Sequence, residues 1–154
     1  MKEIIINEFG DIDKLLMTEL PLPEVLENEV LIEVKAISIN PVDVRTRSGS
    51  AMAEYLKDNM PLILGWDISG IITDIGTKVT KFKKGDAVFG LINFLGHGKG
   101  YAEYVVAPED QIAHKPINIS YEEAGGATLS ALTAWQLLVH YAKIKRGDRV
   151  LIQA

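Results

Sequence analysis

A run rich in β-branched residues, Glu29 to Ile39, ends abruptly at Asn40-Pro41. Such side chains suit a pleated strand. Proline cannot continue one, yet it fits the first position of a helix, where its missing N–H would go unpaired anyway. Asn is a preferred residue just before such a start. The stretch Ser38-Ile39-Asn40-Pro41-Val42-Asp43-Val44-Arg45-Thr46-Arg47-Ser48-Gly49 therefore reads as a core strand turning into a short helix, stopped by Gly49. It holds the densest polar cluster that follows a strand. A polar Asn on so rigid a junction is the first site candidate.

Around this junction the chain reads as short strands. Lys2 to Asn7 and Leu15 to Leu20 are expected strands, joined by a turn at Gly10-Asp11. Met52 to Asn59 reads as a short helix ended by Pro61. Leu62 to Gly76 is a strand region punctuated by glycines, a pattern that suggests bulges or close backbone approach in a curled sheet. Lys84-Gly85-Asp86 is a turn before the strand Ala87 to Leu91. The loop Gly96-His97-Gly98-Lys99-Gly100 precedes an expected strand from Tyr101 to Val106. Many short strands with Gly and Pro turns argue for a mainly β or α+β body resembling a barrel.

The pattern then changes. Ser120-Tyr121-Glu122-Glu123 is a capping box. Helical spacing of Ala, Leu and Val runs from there to Ala142, with Gly125-Gly126 expected to split it into two helices. After the turn Lys145-Arg146-Gly147-Asp148, the segment Arg149 to Ala154 contains the apolar run Val150-Leu151-Ile152. Such a run suits a strand buried on both faces of a parallel sheet. One helical segment and one such strand cannot make a sheet alone. The expected division is residues 1–119 as a β-rich domain and residues 120–154 as the opening of an α/β domain.

Charge and composition exclude several functions. The 154 residues carry a formal net charge of −5, which disfavours a nucleic-acid partner. There is no cysteine, so disulfides, thiolate chemistry and Cys-based zinc sites are excluded. That composition fits a reducing cytoplasm. No apolar run approaches the roughly 20 residues needed to span a membrane, and no signal peptide is visible.

Six motifs in order carry a resemblance. They are Asn40-Pro41-Val42-Asp43, Gly65-Trp66-Asp67-Ile68-Ser69-Gly70, Lys84-Gly85-Asp86-Ala87-Val88-Phe89-Gly90, Gly100-Tyr101-Ala102-Glu103-Tyr104-Val105, Leu132-Thr133-Ala134-Trp135 and Gly147-Asp148-Arg149-Val150-Leu151-Ile152. Together they resemble the medium-chain dehydrogenase/reductase superfamily, and within it the zinc-independent quinone oxidoreductases related to zeta-crystallin. The resemblance implies a GroES-like β-barrel catalytic domain followed by a Rossmann domain. That domain's phosphate loop, with its G-x-G-x-x-G fingerprint, would begin just past Ala154, and its glycines are absent here. A fragment of a roughly twofold longer enzyme is therefore expected, one that passes hydride from NADPH to a quinone or α,β-unsaturated carbonyl. It would be a homo-oligomer, and this chain alone should not bind NADPH.

The resemblance also assigns residues. The catalytic-zinc ligand positions of the related alcohol dehydrogenases fall on Asn40, Trp66 and Leu129, none a suitable ligand, so no metal is expected. Asn40 would hydrogen-bond the nicotinamide-side ribose or the substrate carbonyl; its bland reading is a helix cap. Thr133 would contact the nicotinamide; its bland reading is a helical Thr bonded to its own turn. Trp66 would wall the acceptor pocket, or else fill the core. Asp43 completes the catalytic candidates Asn40, Asp43 and Trp66, although its spacing from Arg47 also allows a helix-surface pair. Asp67 is expected in a buried polar network with Asp43 or Arg45. Tyr101 and Tyr104 are expected on opposite faces of one strand. His97 is expected exposed and idle; His114 and His140 carry no assignment. Two rivals stand beside the enzyme: a GroES-like binding or structural module, and a zinc-type alcohol dehydrogenase.

Overall fold

The computed structural model describes residues 1–153. Strand β1 (Lys2–Ile6) pairs antiparallel with β2 (Leu16–Glu19) and with β4 (Leu62–Ile63), giving a three-stranded sheet of order β2-β1-β4. A second, five-stranded antiparallel sheet has the order β7-β3-β5-β6-β8. Its strands are β3 (Glu29–Ile37), β5 (Asp67–Ile75), β6 (Ala87–Leu91), β7 (Tyr104–Pro108) and β8 (Ile112–His114). A bridge between Glu3 and Ala102 joins the two sheets into the expected barrel-like body.

Each sheet covers its own apolar cluster. Val30, Ile32, Ile68, Ile72, Val88, Ile92 and Val105 fill the first, on alternate positions of strands that each present one face inward. Ile6, Leu56, Leu62, Leu64, Trp66 and Tyr101 fill the second. The glycines within strands mark close approach, as their spacing suggests. A Cβ at Gly70 would meet the Glu33 carbonyl oxygen at 2.2 Å.

The junction at residue 40 forms as the sequence dictates. β3 ends at Ile37, α1 spans Pro41–Arg47, and Gly49 follows at a φ of 94°. Helix α2 is short, Ala53–Leu56, and continues as a single 3-10 turn. Helix α3, Tyr121–Trp135, starts on the predicted capping box, with the Ser120 hydroxyl accepting from Glu123 N–H at 3.1 Å. It packs on β3, β5 and β6.

Several expectations are corrected. Gly125-Gly126 does not split the helix: α3 runs through both and ends in a π-helical turn, Gln136–Tyr141. Gly125 faces the Ala36 carbonyl and the Ser69 hydroxyl, so its missing side chain lets the helix lie close to the sheet. The turn at Gly10-Asp11 is followed by a 3-10 turn, Ile12–Lys14, with Asp11 accepting from Ile12 N–H. The strand expected from Tyr101 starts at Tyr104, and β8 was not anticipated. Residues 149–153 form no strand, since no neighbour among the described residues pairs with them; Ala154 lies outside the described residues.

Candidate functional site

Three strand ends meet beside Asn40. β3 leads into it, β5 begins at Asp67, and β6 ends at Leu91, opposite Asp67. Pairing therefore brings residues distant in sequence to one end of the sheet. There Asn40 Nδ2 donates to Asp67 Oδ2 at 3.0 Å. Asp67 is fully buried. It also accepts from the Thr128 hydroxyl and from Leu129 N–H at 3.1 Å, both on α3. Three donors converge on one carboxylate, and a group that only accepts is well matched to them.

Asp43 lies on the other side of Asn40. Its Oδ2 accepts from Asn40 N–H at 2.6 Å, the reciprocal half of a capping box. The Asn40 side chain lies within capping-box reach of Asp43 N–H, whose hydrogen bond of ordinary geometry goes to the Asn40 backbone carbonyl at 3.0 Å. Burial pushes the Asp43 carboxyl up to about 6, opposed by the Asn40 N–H and the Tyr101 hydroxyl. Asp43 Oδ1 closes no hydrogen bond of ordinary geometry. In turn, burial and the Asp43 charge raise the Tyr101 hydroxyl well above its usual range, so it stays protonated.

Other candidates settle elsewhere. Trp66 is 1% exposed, and its Nε1–H donates to the Gly96 carbonyl at 2.9 Å. It packs in the core and offers no face to a cleft, which corrects the expected pocket wall; the Gly-rich loop folds over it instead. Asp43 does not pair with Arg47, whose guanidinium donates to the Gly10 carbonyl at 2.7 Å. The Asp67 network takes Asn40 and α3 as partners, whereas Arg45 is exposed. Thr133 is exposed on α3, one turn beyond Leu129 and on the same helical side. His97 is not idle. Its Nε2 accepts from Ile63 N–H at 2.7 Å, and burial lowers it to about 4, so the ring is neutral. Tyr101 is 9% exposed and lies in the loop before β7, so it does not share a strand with Tyr104.

Thr128 is the contributor that residue patterns pass over, while they place Tyr101 only as one of two residues on a strand. The signal for Thr128 was present: it is the first polar residue after the small run Ala124-Gly125-Gly126-Ala127, the part of α3 that can approach the sheet most closely.

The donor set does not fit zinc. The Asn40 amide is engaged with Asp67, Trp66 is an N–H donor in the core, and Leu129 has an aliphatic side chain. Among the described residues, no three His, Asp or Glu side chains gather to hold an ion.

This two-sheet body, with its polar corner at the β3–α1 junction, defines an alcohol dehydrogenase GroES-like domain. Residues 26–117 match the model of that family, and the chain belongs to it. Its likeness extends further. It is 35% identical to the quinone oxidoreductase of Lama guanicoe, over 99% of this chain and 44% of that protein. It is 32% identical to the chloroplastic NADPH-dependent alkenal/one oxidoreductase of Arabidopsis thaliana, over 99% of this chain and 40% of that protein. The solved structure of the quinone oxidoreductase from Coxiella burnetii superposes with a TM-score of 0.91 at 40% identity, covering 96% of this chain and 47% of that one. These relatives are oxidoreductases of the medium-chain dehydrogenase/reductase superfamily, as the six motifs imply. The chain spans less than half the length of each.

Proposed function

We propose that this chain is the catalytic-side half of a longer enzyme that moves hydride from NADPH to a quinone or an α,β-unsaturated carbonyl without zinc. One observation carries the reading: the Asn40 amide is tied to Asp67 at 3.0 Å, at the position where the family resemblance puts a metal ligand of the alcohol dehydrogenases. The names of the relatives, quinone oxidoreductase and NADPH-dependent alkenal/one oxidoreductase, support the substrate class and the cofactor. In this reading residues 1–119 are the GroES-like domain and 120–154 open the dinucleotide-binding half. The cytoplasmic setting and homo-oligomeric state belong to the same proposal.

The chemistry asked of the protein is modest. A quinone or enone is already electrophilic and needs no Lewis acid to accept hydride. When bound, the nicotinamide supplies the hydride. Asn40 would hold it through hydrogen bonds at the sheet end, and Thr133 would contact it from α3. Asp43 keeps the Asn40 backbone fixed through the 2.6 Å bond, so the site costs little reorganisation.

Assaying the longer protein with NADPH and a panel of quinones, enones and ketones tests this. NADPH consumption with quinones or enones is expected, and none with unconjugated ketones. Turnover only of unconjugated ketones, or of no acceptor at all, would contradict it.

A further inference from the structure

Which way the Asn40 amide faces can be decided from its neighbours. Asp67 Oδ2 receives Nδ2 at 3.0 Å, while the Thr128 hydroxyl and Leu129 N–H also donate to that carboxylate. Three donors therefore point at the Asp67 oxygens, which places the amide nitrogen toward Asp67 and the carbonyl oxygen away from it. That oxygen lies within capping-box reach of Asp43 N–H, whose hydrogen bond of ordinary geometry goes to the Asn40 backbone carbonyl at 3.0 Å, and an amide oxygen with two lone pairs can still accept from a ligand. The residue keeps 8% exposure. The corner is also electronegative: Asp43 lies on one side of Asn40 and Asp67 on the other, and both are buried. A developing oxyanion there would face a carboxylate through a single amide, an unfavourable pairing of like charges. A hydroxyl or amide N–H would find an acceptor ready.

We infer that Asp67 is a positioning residue that sets the Asn40 amide to accept, so that Asn40 binds a hydrogen-donating group on the cofactor side and does not stabilise the acceptor's oxyanion. This rests on the function proposed above and chooses between two roles that the family resemblance leaves open. It also gives α3 a part in the site. The same carboxylate that orients Asn40 is bound by Thr128 and Leu129, one turn before Thr133. The two cofactor candidates, Asn40 and Thr133, are thereby held on one rigid unit.

The test begins with the side-chain amide of Asn40 in the 15N-labelled chain. One Nδ2 proton is expected downfield and slow to exchange with water. Asp67→Asn should remove that signature while the Asn40 backbone amide, held by Asp43, stays in place. Thr128→Val, which keeps the carboxylate, should preserve it. Two Nδ2 protons that both exchange freely with water, neither shifted downfield, would overturn the inference in the wild type, and that result needs no variant to fold. Loss of the signature in Thr128→Val would overturn it too, because the helix and not Asp67 would then set the amide. In the longer enzyme, Asp67→Asn should raise the KM for NADPH about tenfold, the worth of one displaced hydrogen bond, and leave the quinone KM within about twofold. A rise confined to the quinone KM would overturn this inference alone. Failure of every quinone and enone as a substrate would sink the proposed function and leave the amide orientation standing.

Discussion

Asn40 and Asp67 lie 27 residues apart in sequence and meet through a buried 3.0 Å hydrogen bond. The bond joins the end of β3 to the start of β5, and through Thr128 and Leu129 it reaches α3. Removing the carboxylate orphans three donors at once. Asp67→Ala should therefore cost about 3 kcal/mol or more, whereas Thr128→Val, which removes a single donor, should cost about 1 kcal/mol. Urea unfolding of both variants measures the difference. Equal losses would show that the network does not converge on Asp67.

Gly98 offers a contrast with Gly126. A Cβ at Gly98 would meet the Gly65 carbonyl oxygen at 2.1 Å and the Trp66 ring at 2.7 Å. Gly98→Ala should lose more than about 2 kcal/mol, since backbone must move. Gly126 lies in α3 with nothing within 4 Å of its Cβ position. There alanine should add about 0.5–1 kcal/mol through helix propensity. Thermal melts of the pair would separate crowding from backbone entropy.

Asp43 and His97 should pull stability in opposite directions with pH. The Asp43 carboxyl is raised to about 6, so the folded state holds its proton longer than the unfolded one, and its contribution falls away as pH rises through 6. His97 is lowered to about 4, so its contribution is present above pH 6.5 and is lost as pH falls toward 4. The two act in opposite directions over the same range, so the wild type should vary little between pH 4 and 6 on their account. Asp43→Asn should unmask a steep loss on acidification. His97→Gln, which keeps an acceptor for Ile63 N–H, should unmask a gain. Identical profiles for the two variants would refute the assignment.

Apolar side chains are exposed both on the last helix and in the tail after it. Trp135 is 59% exposed, Leu137 57%, Leu151 83% and Ile152 77%. A surface of this kind recruits partners. The 154-residue chain should self-associate, and Trp135→Glu with Leu151→Glu should shift it toward monomer in light scattering. A monomeric wild type at high concentration would count against this.

The binding expectation is simpler still. The fingerprint glycines for the phosphates are missing from this chain. Fluorescence titration of the 154 residues with NADPH should show no saturation. Tight binding would mean that the cofactor site is complete without further sequence.

Local signals placed the junction well. The β-branched run and the Asn40-Pro41 pair marked the end of β3 and the start of α1, because proline's fixed φ and missing donor act within one residue. Ser120 and Glu123 marked the start of α3 for a similar reason. What the sequence hid depends on approach through space. Gly125-Gly126 reads as a break only until the sheet beneath α3 is known, for Gly125 makes room for Ala36 and Ser69. Trp66 stands in a motif that points to a site, yet the loop carrying Gly96 covers it and turns it into core. The partners of Asp67 sit on α3, far beyond any local pattern. His97 looked free because its donor, Ile63 N–H, is supplied by another strand.

The most direct measurement is NADPH-dependent quinone reduction by the longer enzyme after exhaustive treatment with a metal chelator. Hydride transfer to an acceptor that needs no Lewis acid, beside an Asn40–Asp67 pair unsuited to zinc, predicts full activity in the stripped protein, and no gain when zinc is returned. Activity lost with the metal and restored by zinc would contradict it.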